Sequence, residues 1–238
     1  MGLHRQEGTT TEQALLSLLQ ISDSFFPTGA FTQSYGLETF VQEGLVTSKE
    51  ALAEFLTTYL LDNLATSDCL AMLLAYRVGA VADWTAVVQL DQRLAAQKLA
   101  RESREASHKT GRRMLQVVQR LFPGSGLDKF AELIREGRAQ GHHAVVFGLV
   151  TATLGLGEKE AALAFAYNAT AGMVNNAVRL IPLGQHEGQW VLTTLSGVIQ
   201  QAVKISLGLG LDDLGSTAPA TEIRAMQHEH LYSRLFMS

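Results

Sequence analysis

The sequence predicts an all-α fold, organised as a single-domain multi-helix bundle. No stretch of five or more residues alternates apolar and polar side chains between hairpin dipeptides, so no strands are expected. Only four prolines occur, and each lies between two stretches with helical periodicity. The 238 residues contain no fixed-period repeat and no low-complexity linker that would divide them into domains.

The first helices are located by their caps and by their apolar spacing. Thr47 and Glu50 have the spacing of a capping box, and an apolar helical face follows them over residues 52–63. Asp83 is in position to cap the next helix. We expect this helix to continue, long and highly charged, to about Leu121.

The later helices also carry start and stop signals. His142 and His143 are interpreted as a helix start, because adjacent residues on a helix point about 100° apart and could not share one metal ion. Gly157 begins another helix, because two of the three residues after it are glutamates, and Pro182 ends that helix. The sequence thus predicts eight to ten helices in all.

Composition excludes several classes of protein. Hydrophobic residues make up 47% of the chain and charged residues 18%, which favours a folded globular protein. Cys69 is the only cysteine, so an internal disulfide is excluded and a cytoplasmic, reducing compartment is predicted. Three long stretches lack Asp, Glu, Lys and Arg, but His, Asn and Gln interrupt them. They therefore indicate helices buried in protein rather than membrane spans, and no membrane association is expected.

A basic band lies within this acidic chain. The net charge is −4, yet residues 91–140 carry eleven basic and six acidic groups. Phosphate binding is conceivable, but the band has no interleaved aromatic residues, and Glu105 and Lys109 form a favourable i, i+4 pair. These features favour a solvated face, with no nucleic-acid partner. The opposite face, including Ser107 and Gly111, has small residues that would let a neighbouring backbone approach closely.

No catalytic constellation is visible in the sequence. The motifs HExxH and GxSxG are absent, and the glycines near Lys159 lack the spacing of a phosphate-binding loop. His228 and His230 could chelate a metal ion if the C-terminal tail were extended, but on a helix their side chains would diverge. They are the only metal-ligand candidates.

Residues 24–38 concentrate aromatic side chains around a Pro-Thr-Gly turn. Thr28 or Gly29 is in position to begin a helix. On this helix Phe31, Tyr35 and Glu38 would share one face. The aromatic side chains fit either a hydrophobic core or anchors for a partner protein.

Residues 167–189 place polar side chains in an otherwise apolar helix. Asn168, Asn175, Asn176 and Arg179 need hydrogen-bond partners if they are buried. A self-complementary interface, a polar internal channel and a buried structural network would each supply such partners. All three interpretations stay open at this point.

Four motifs, taken together and in order, resemble UreF-type urease accessory proteins. They are SDSFFPTGAFTQSYGLETFV near the start, RESREASHKTGRRML in the basic band, NATAGMVNNAVRLIPLGQHEGQ and the terminal HLYSRLFMS. The likeness covers the chain from about residue 15 to residue 238. It is specific as a set, whereas no single motif would be.

This resemblance implies an all-α homodimer that has no enzymatic activity and no tightly bound cofactor. It implies a role as metallochaperone scaffold between UreD (also called UreH) and the GTPase UreG. The assembly would dock on apo-urease and insert nickel when GTP is hydrolysed. Nickel would then be in transit, along a water-filled passage through UreF and UreD.

The resemblance also implies roles for individual residues. It assigns Thr28, Gln33, Ser34, Tyr35 and Glu38 to partner-binding surfaces, and Tyr232, Arg234 and Leu235 to a tail that becomes ordered on binding UreD. Together with the polar helix described above, it assigns Asn175, Arg179, Leu183 and Gln185 to a dimer interface or channel. The expected organisation is a flexible N-terminus over residues 1–11, a helical domain over 12–221 and a partner-binding tail over 222–238.

A second function is left open by the same resemblance. The protein could regulate GTP hydrolysis by UreG, either by gating its activity or through an arginine finger, a guanidinium that stabilises charge on the transferred phosphoryl group. Arg179, Arg112 and Arg113 are candidates for this finger by residue type alone.

Overall fold

The computed structural model confirms the all-α fold. It describes residues 11–29 and 34–237, and these ranges contain eleven α-helices and no strand. The helices are α1 (Thr11–Ser22), α2 (Leu37–Gln42), α3 (Lys49–Thr58), α4 (Asp68–Ala80), α5 (Trp84–Gln97), α6 (Arg101–Leu121), α7 (Asp128–Arg135), α8 (His143–Thr153), α9 (Glu158–Leu180), α10 (Gln185–Leu207) and α11 (Pro219–Gln227).

The number of helices exceeds the prediction because the long charged helix is divided in two. Lys98 and Ala100 have non-helical backbone angles, so α5 ends at Gln97 and α6 begins at Arg101. The predicted starts at His143 and Glu158, and the end before Pro182, are confirmed.

One of the two predicted caps is confirmed and the other is wrong. The Asp83 carboxylate accepts a hydrogen bond from the backbone N–H of Ala86 at 3.0 Å. At α3 the cap is Ser48 rather than Thr47, and its hydroxyl accepts from the backbone N–H of Ala51 at 3.2 Å. Helix α3 begins at Lys49, which leaves Thr47 one residue too far out to reach the first turn.

The sequence predicts a helix that joins Phe31, Tyr35 and Glu38; Phe31 lies outside the described residues, and the prediction is wrong for Tyr35, which lies before the helix that contains Glu38. Tyr35 and Gly36 have φ angles of 52° and 86°, so α2 begins only at Leu37. Glycine is needed at position 36 because a Cβ there would lie 3.1 Å from the backbone N of Ala225. This turn therefore lets α11 pack directly on the start of α2.

Helix α8 forms the centre of the fold. All seven of its residues from Ala144 to Val150 are buried, which confirms that this charge-free stretch is a buried helix. A Cβ on Gly148 would overlap the backbone carbonyl of Met72 in α4, and one on Gly111 in α6 would overlap that of Gly141. Backbones in direct contact therefore join α8 and its N-terminal loop to α4 and α6.

A π-helical turn, Tyr59–Leu64, follows α3 and redirects its side chains. The Ser206 hydroxyl donates to the carbonyl of Ala65 at 2.7 Å, just beyond the turn. The carbonyl of Asp62 accepts from both the N–H and the hydroxyl of Thr217, each at 2.8 Å. The turn thus binds the segment that leads into α11.

Among residues 11–29 and 34–237, none of the helices combines the length and the apolar character that a membrane crossing requires.

The close approach at Gly111 generates a stability prediction. Gly111→Ala would place a methyl group on the carbonyl of Gly141 and 2.7 Å from the backbone N of His143. We expect the free energy of unfolding to fall by about 3 kcal/mol or more, since neither backbone can move aside. Urea denaturation followed by circular dichroism measures the change.

Gly197→Ala is the matched control. Gly197 is an exposed residue within α10, and a Cβ there would meet no atom within 4 Å. This variant should gain up to about 1 kcal/mol from the higher helix propensity of alanine. Equal stability of the two variants would contradict the proposed backbone contact.

Candidate functional site

A buried carboxylate fixes the C-terminal tail to the body of the protein. Glu38, in the first turn of α2, is only 2% exposed. Its two oxygens accept the backbone N–H groups of Leu235 at 2.7 Å and of Phe236 at 3.1 Å. One carboxylate therefore binds two consecutive peptide groups almost 200 positions away in the chain.

His228 links this carboxylate to a second one. Its Nε2 lies 3.0 Å from Glu38 and its Nδ1 lies 2.7 Å from Glu102 on α6, and the ring is completely buried. A ring that carries both protons donates to both carboxylates. Arg234 donates to the other oxygen of Glu102 at 2.6 Å. We call Glu38, Glu102, His228 and Arg234 the tail clamp.

Helix α11 positions the tail clamp. The Thr39 hydroxyl donates to the carbonyl of Arg224 at 3.1 Å, which holds α11 against the start of α2. The Arg224 guanidinium pairs with Glu43 at 2.7 Å and lies 4.3 Å from the centre of the Phe40 ring. Glu38, one of the residues predicted from sequence to bind partners, thus lies directly beneath the tail.

The outer side of the tail is apolar and exposed. Phe236 is buried, whereas Tyr232 is fully exposed and Leu235 and Met237 are 59% and 55% exposed. Exposed apolar side chains grouped in this way are typical of a protein interaction site. The tail clamp orders the inner side and leaves this surface free.

A cavity of about 90 Å³, lined by both polar and apolar side chains, lies on the other side of the Ser34–Glu38 segment. Its polar lining comes from the loop after α1, the turn before α2, the π-helical turn, the residue that follows α5, and helices α4, α6, α8 and α9. It consists of Asp23, Ser24, Thr28, Tyr35, Tyr59, Asp68, Lys98, Ser107, His143 and Asn168. This volume has room for several water molecules, and the lining offers them hydrogen bonds. Two of the sequence-predicted residues, Thr28 and Tyr35, are among those that line it.

The cavity contains an ion pair, and its two tyrosines and His143 are neutral at pH 7. Lys98 and Asp68 form a contact of 2.7 Å, and both side chains are largely buried. Burial raises the pKa values of Tyr35 and Tyr59, and the Asp68 charge raises them further. Burial lowers the pKa of His143 to about 4.

A chain of hydrogen bonds leads from the cavity to the surface. The Ser107 hydroxyl accepts the N–H of His143 at 3.2 Å and lies 3.0 Å from Nδ1 of His142, whose Nε2 lies 2.9 Å from Nε2 of His108. All these contacts are satisfied if Ser107 donates to His142 and His142 donates to His108. Asp91 fixes the loop by accepting the N–H of His142 at 2.9 Å.

The basic band is more ordered than the sequence indicates. Three of its arginines bind backbone carbonyls: Arg104 that of Lys98, Arg112 that of Gln140 and Arg113 that of Pro27. Much of the positive charge on α6 therefore holds the loops around the cavity. That the chain has no nucleic-acid partner stays a prediction.

The four residues predicted for a dimer interface or channel lie together around the turn between α9 and α10. Arg179 and Gln185 are exposed, and Asn175 and Leu183 are partly exposed. None of the four lines the cavity, to which α9 contributes Asn168 instead. Within residues 11–29 and 34–237, no hydrogen bond or ion pair engages the Arg179 guanidinium.

The remaining sequence predictions fall on different parts of the structure. Ser34 is buried, and Gln33 lies outside the described residues, as do residues 1–10 of the predicted flexible N-terminus. His230 is exposed, whereas both ring nitrogens of His228 face carboxylates. A metal role for this pair stays a prediction. The described residues contain no group of three or more His, Cys, Asp or Glu side chains that could hold a metal ion.

Several site residues were not found by sequence reasoning. The sequence indicates only that Glu102 belongs to a charged helix face, and nothing in the sequence places it beside residue 228. Asp68 and Lys98 are thirty positions apart and carry no motif. Only the charges in otherwise apolar surroundings could have drawn attention to Asp68.

Comparisons with known proteins agree with one another. A model of the UreF family matches residues 46–196. The chain is 44% identical over 222 residues to urease accessory protein UreF of Actinobacillus pleuropneumoniae serotype 5b (strain L20). The aligned region covers 93% of this chain and 98% of that protein. The protein of the same name from Lachnoclostridium phytofermentans is 40% identical, over 94% of this chain and 98% of its own length. The one from Haemophilus influenzae (strain ATCC 51907) is 42% identical, over 93% of this chain and 94% of its own length.

The buried histidines predict a loss of stability in acid. Burial lowers the pKa of His142 to about 2 and that of His143 to about 4, against about 6.5 for an unfolded histidine. Below about pH 6.5 the unfolded chain therefore binds protons that the folded chain does not. The free energy of unfolding should fall as pH falls from 7 to 5, by up to about 1.4 kcal/mol per pH unit for each such histidine.

Urea denaturation of His142→Gln at several pH values measures this contribution. We expect the free energy of unfolding of this variant to depend less steeply on pH than that of the parent protein. The difference in slope should correspond to about one proton fewer taken up on unfolding. His186→Gln, at an exposed position in the first turn of α10, is the control and should keep the parent slope. An unchanged slope in the His142 variant would contradict the assignment.

Proposed function

The chain belongs to the UreF family of urease accessory proteins, and on that premise we propose how it acts in urease maturation. It is a cytoplasmic homodimeric scaffold that joins UreD (UreH) to UreG and docks the assembly on apo-urease. GTP hydrolysis by UreG drives nickel insertion, and this chain catalyses no reaction of its own. Nickel is cargo in transit rather than a resident cofactor.

The anchored tail is the observation that carries this proposal. Its inner side is bound to Glu38 and Glu102, while Tyr232, Leu235 and Met237 face outward. A large aromatic side chain next to aliphatic ones is a favourable anchor for a protein interface. This surface fits a stable protein partner, which we propose is UreD.

The polar groups that line the cavity support a role in nickel transit. The lining offers the carboxylate of Asp68, the neutral imidazole of His143 and the amide of Asn168, and nickel binds such oxygen and nitrogen ligands. Lys98 balances the charge of Asp68, so a cation that enters competes with an ammonium group. Such competition favours passage over tight retention.

Dimerisation is proposed at the turn between α9 and α10. Arg179 and Gln185 are exposed there, and Trp190 in the second turn of α10 is 43% exposed. Arginine and tryptophan are both enriched at the centres of protein interfaces.

Substitution on the outer side of the tail tests the scaffold function. The double variant Tyr232→Ser, Leu235→Ser should lose UreD binding by about a hundredfold or more, since two exposed apolar anchors are removed. Leu121→Ser, which changes a 47% exposed leucine at the end of α6, is the control. Co-purification with the UreD-type and UreG-type proteins of the same genome, followed by size-exclusion chromatography with light scattering, measures assembly.

The parent protein should form a complex that contains two copies each of this chain and UreD and that recruits UreG. If the parent elutes alone while its partners are soluble, the scaffold function is wrong. If the tail variant and the control both assemble normally, the tail is not the docking surface.

A second candidate function is regulation of UreG hydrolysis, and Arg179 is the observation that favours it. Arg112 and Arg113 bind backbone carbonyls, whereas the Arg179 guanidinium is exposed and makes no hydrogen bond or ion pair in the described chain. A finger inserted in trans must be free to reach the partner's nucleotide. Of the three candidates, Arg179 meets this requirement.

Arg179→Ala distinguishes an arginine finger from a scaffold. A finger predicts a fall of about a thousandfold in GTP turnover by UreG with the complex intact. Arg120→Ala, at an exposed position near the end of α6, is the control for charge. Turnover that matches the control would contradict the finger, and light scattering of the same samples detects any loss of the dimer.

A further inference from the structure

We propose that Asp91 is a positioning residue that fixes His143 on the cavity wall as a ligand for a divalent cation. It acts through the backbone of the loop before α8, so both nitrogens of the His143 ring stay available. The inference rests on the proposed function, because it takes nickel as the cation that passes through the cavity.

Asp91 binds the start of α8 from another helix. It lies on α5 and is completely buried, and its carboxylate accepts the N–H groups of Gln140, of Gly141 at 3.1 Å and of His142 at 2.9 Å. The N–H groups at the start of a helix have no partner within that helix. The N-cap residue His142 supplies no side-chain cap of its own. The buried carboxylate therefore takes over the role of the cap and fixes the loop.

Ser107 on α6 binds the next peptide group in the same way. Its hydroxyl accepts the N–H of His143 at 3.2 Å and lies 3.0 Å from Nδ1 of His142. Four successive N–H groups, those of residues 140–143, are thus bound by side chains of α5 and α6. The backbone that carries the His143 ring is held from two sides.

The ring of His143 is oriented without the use of its nitrogens. It lines the cavity, and its centroid lies 6.0 Å from that of Phe147 and 5.6 Å from that of Phe165. Within residues 11–29 and 34–237, no hydrogen bond engages the ring nitrogens of His143. A metal-binding histidine is usually oriented by a hydrogen bond to its second nitrogen. Here the anchored backbone and two aromatic rings give the orientation instead.

This orientation matters because the other candidate ligands come from different helices. Asp68 on α4 and Asn168 on α9 line the same cavity as His143 on α8. Bonds from imidazole nitrogen to a metal ion such as zinc are only about 2 Å long. A shift of the loop by about 1 Å would therefore separate His143 from a cation held by the other two groups.

The test replaces Asp91 with asparagine in the full-length chain. Asp91→Asn keeps the shape of the side chain but turns one acceptor into an NH₂ group that faces N–H donors. Asp83→Asn is the matched control, because the exposed Asp83 caps α5 itself, far along the helix from the loop. Titration calorimetry with nickel sulfate measures binding, and nuclear magnetic resonance of the metal-free chain follows the ring of His143.

A double-mutant cycle separates positioning from a general loss of structure. We expect Asp91→Asn to lower the association constant for nickel about tenfold or more and to shift the His143 ring resonances, while the control matches the parent. In a His143→Gln background, Asp91→Asn should lower nickel binding no further. Parent-like nickel binding by a folded Asp91→Asn chain would overturn the proposal. So would an equally large loss in the His143→Gln background.

A second variant keeps the proposal testable if Asp91→Asn does not fold. Ser107→Ala removes the other anchor of the loop from a helix that tolerates alanine well, and it should produce the same two changes to a smaller extent. Failure of the proposed function is seen separately. Equal nickel binding by the parent and by His143→Gln would contradict nickel transit past His143, whereas unaltered His143 resonances in Asp91→Asn would contradict the positioning role itself.

Discussion

The direct contact of backbones around α8 is the constraint on which the rest of the structure depends. Gly148 touches α4, and Gly111 of α6 touches the loop before α8. Helices this close leave no space for side chains between their axes, so the larger groups are displaced to the ends of the contact. His142 and His143, at the start of α8, are thereby brought beside Ser107, and His143 lines the cavity.

Among the described residues, the buried charges of Lys98, Asp68 and Asp91 each have an ion-pair or hydrogen-bond partner, and these contacts join distant segments. Lys98 meets Asp68 inside the cavity, and Asp91 accepts the N–H groups of Gln140, Gly141 and His142. A lone buried charge would cost several kcal/mol. The polar interior is therefore stable only in the arrangement that brings all these segments together.

The cavity and the tail share one structural element, the Ser34–Glu38 segment. Tyr35 faces the cavity and Glu38 binds the tail, and the left-handed backbone at positions 35 and 36 separates the two directions. Docking of a partner on the tail would thus act on a segment that also forms part of the cavity wall. The residue that binds the tail and the residue that lines the cavity wall are only a few positions apart in the chain.

The sequence by itself determined the helical class, the buried central helix and the approach of a backbone at Gly111, because these depend on local periodicity and residue size. It also determined the family, because four motifs in order are specific as a set. Only the tertiary structure decided that Glu38 binds the tail, that Glu102 and His228 meet, and that Arg112 and Arg113 are engaged while Arg179 is not. Those contacts join residues up to 198 positions apart. Nothing local marks them, because the pairing of buried charges depends on the packing of helices that are distant in the chain.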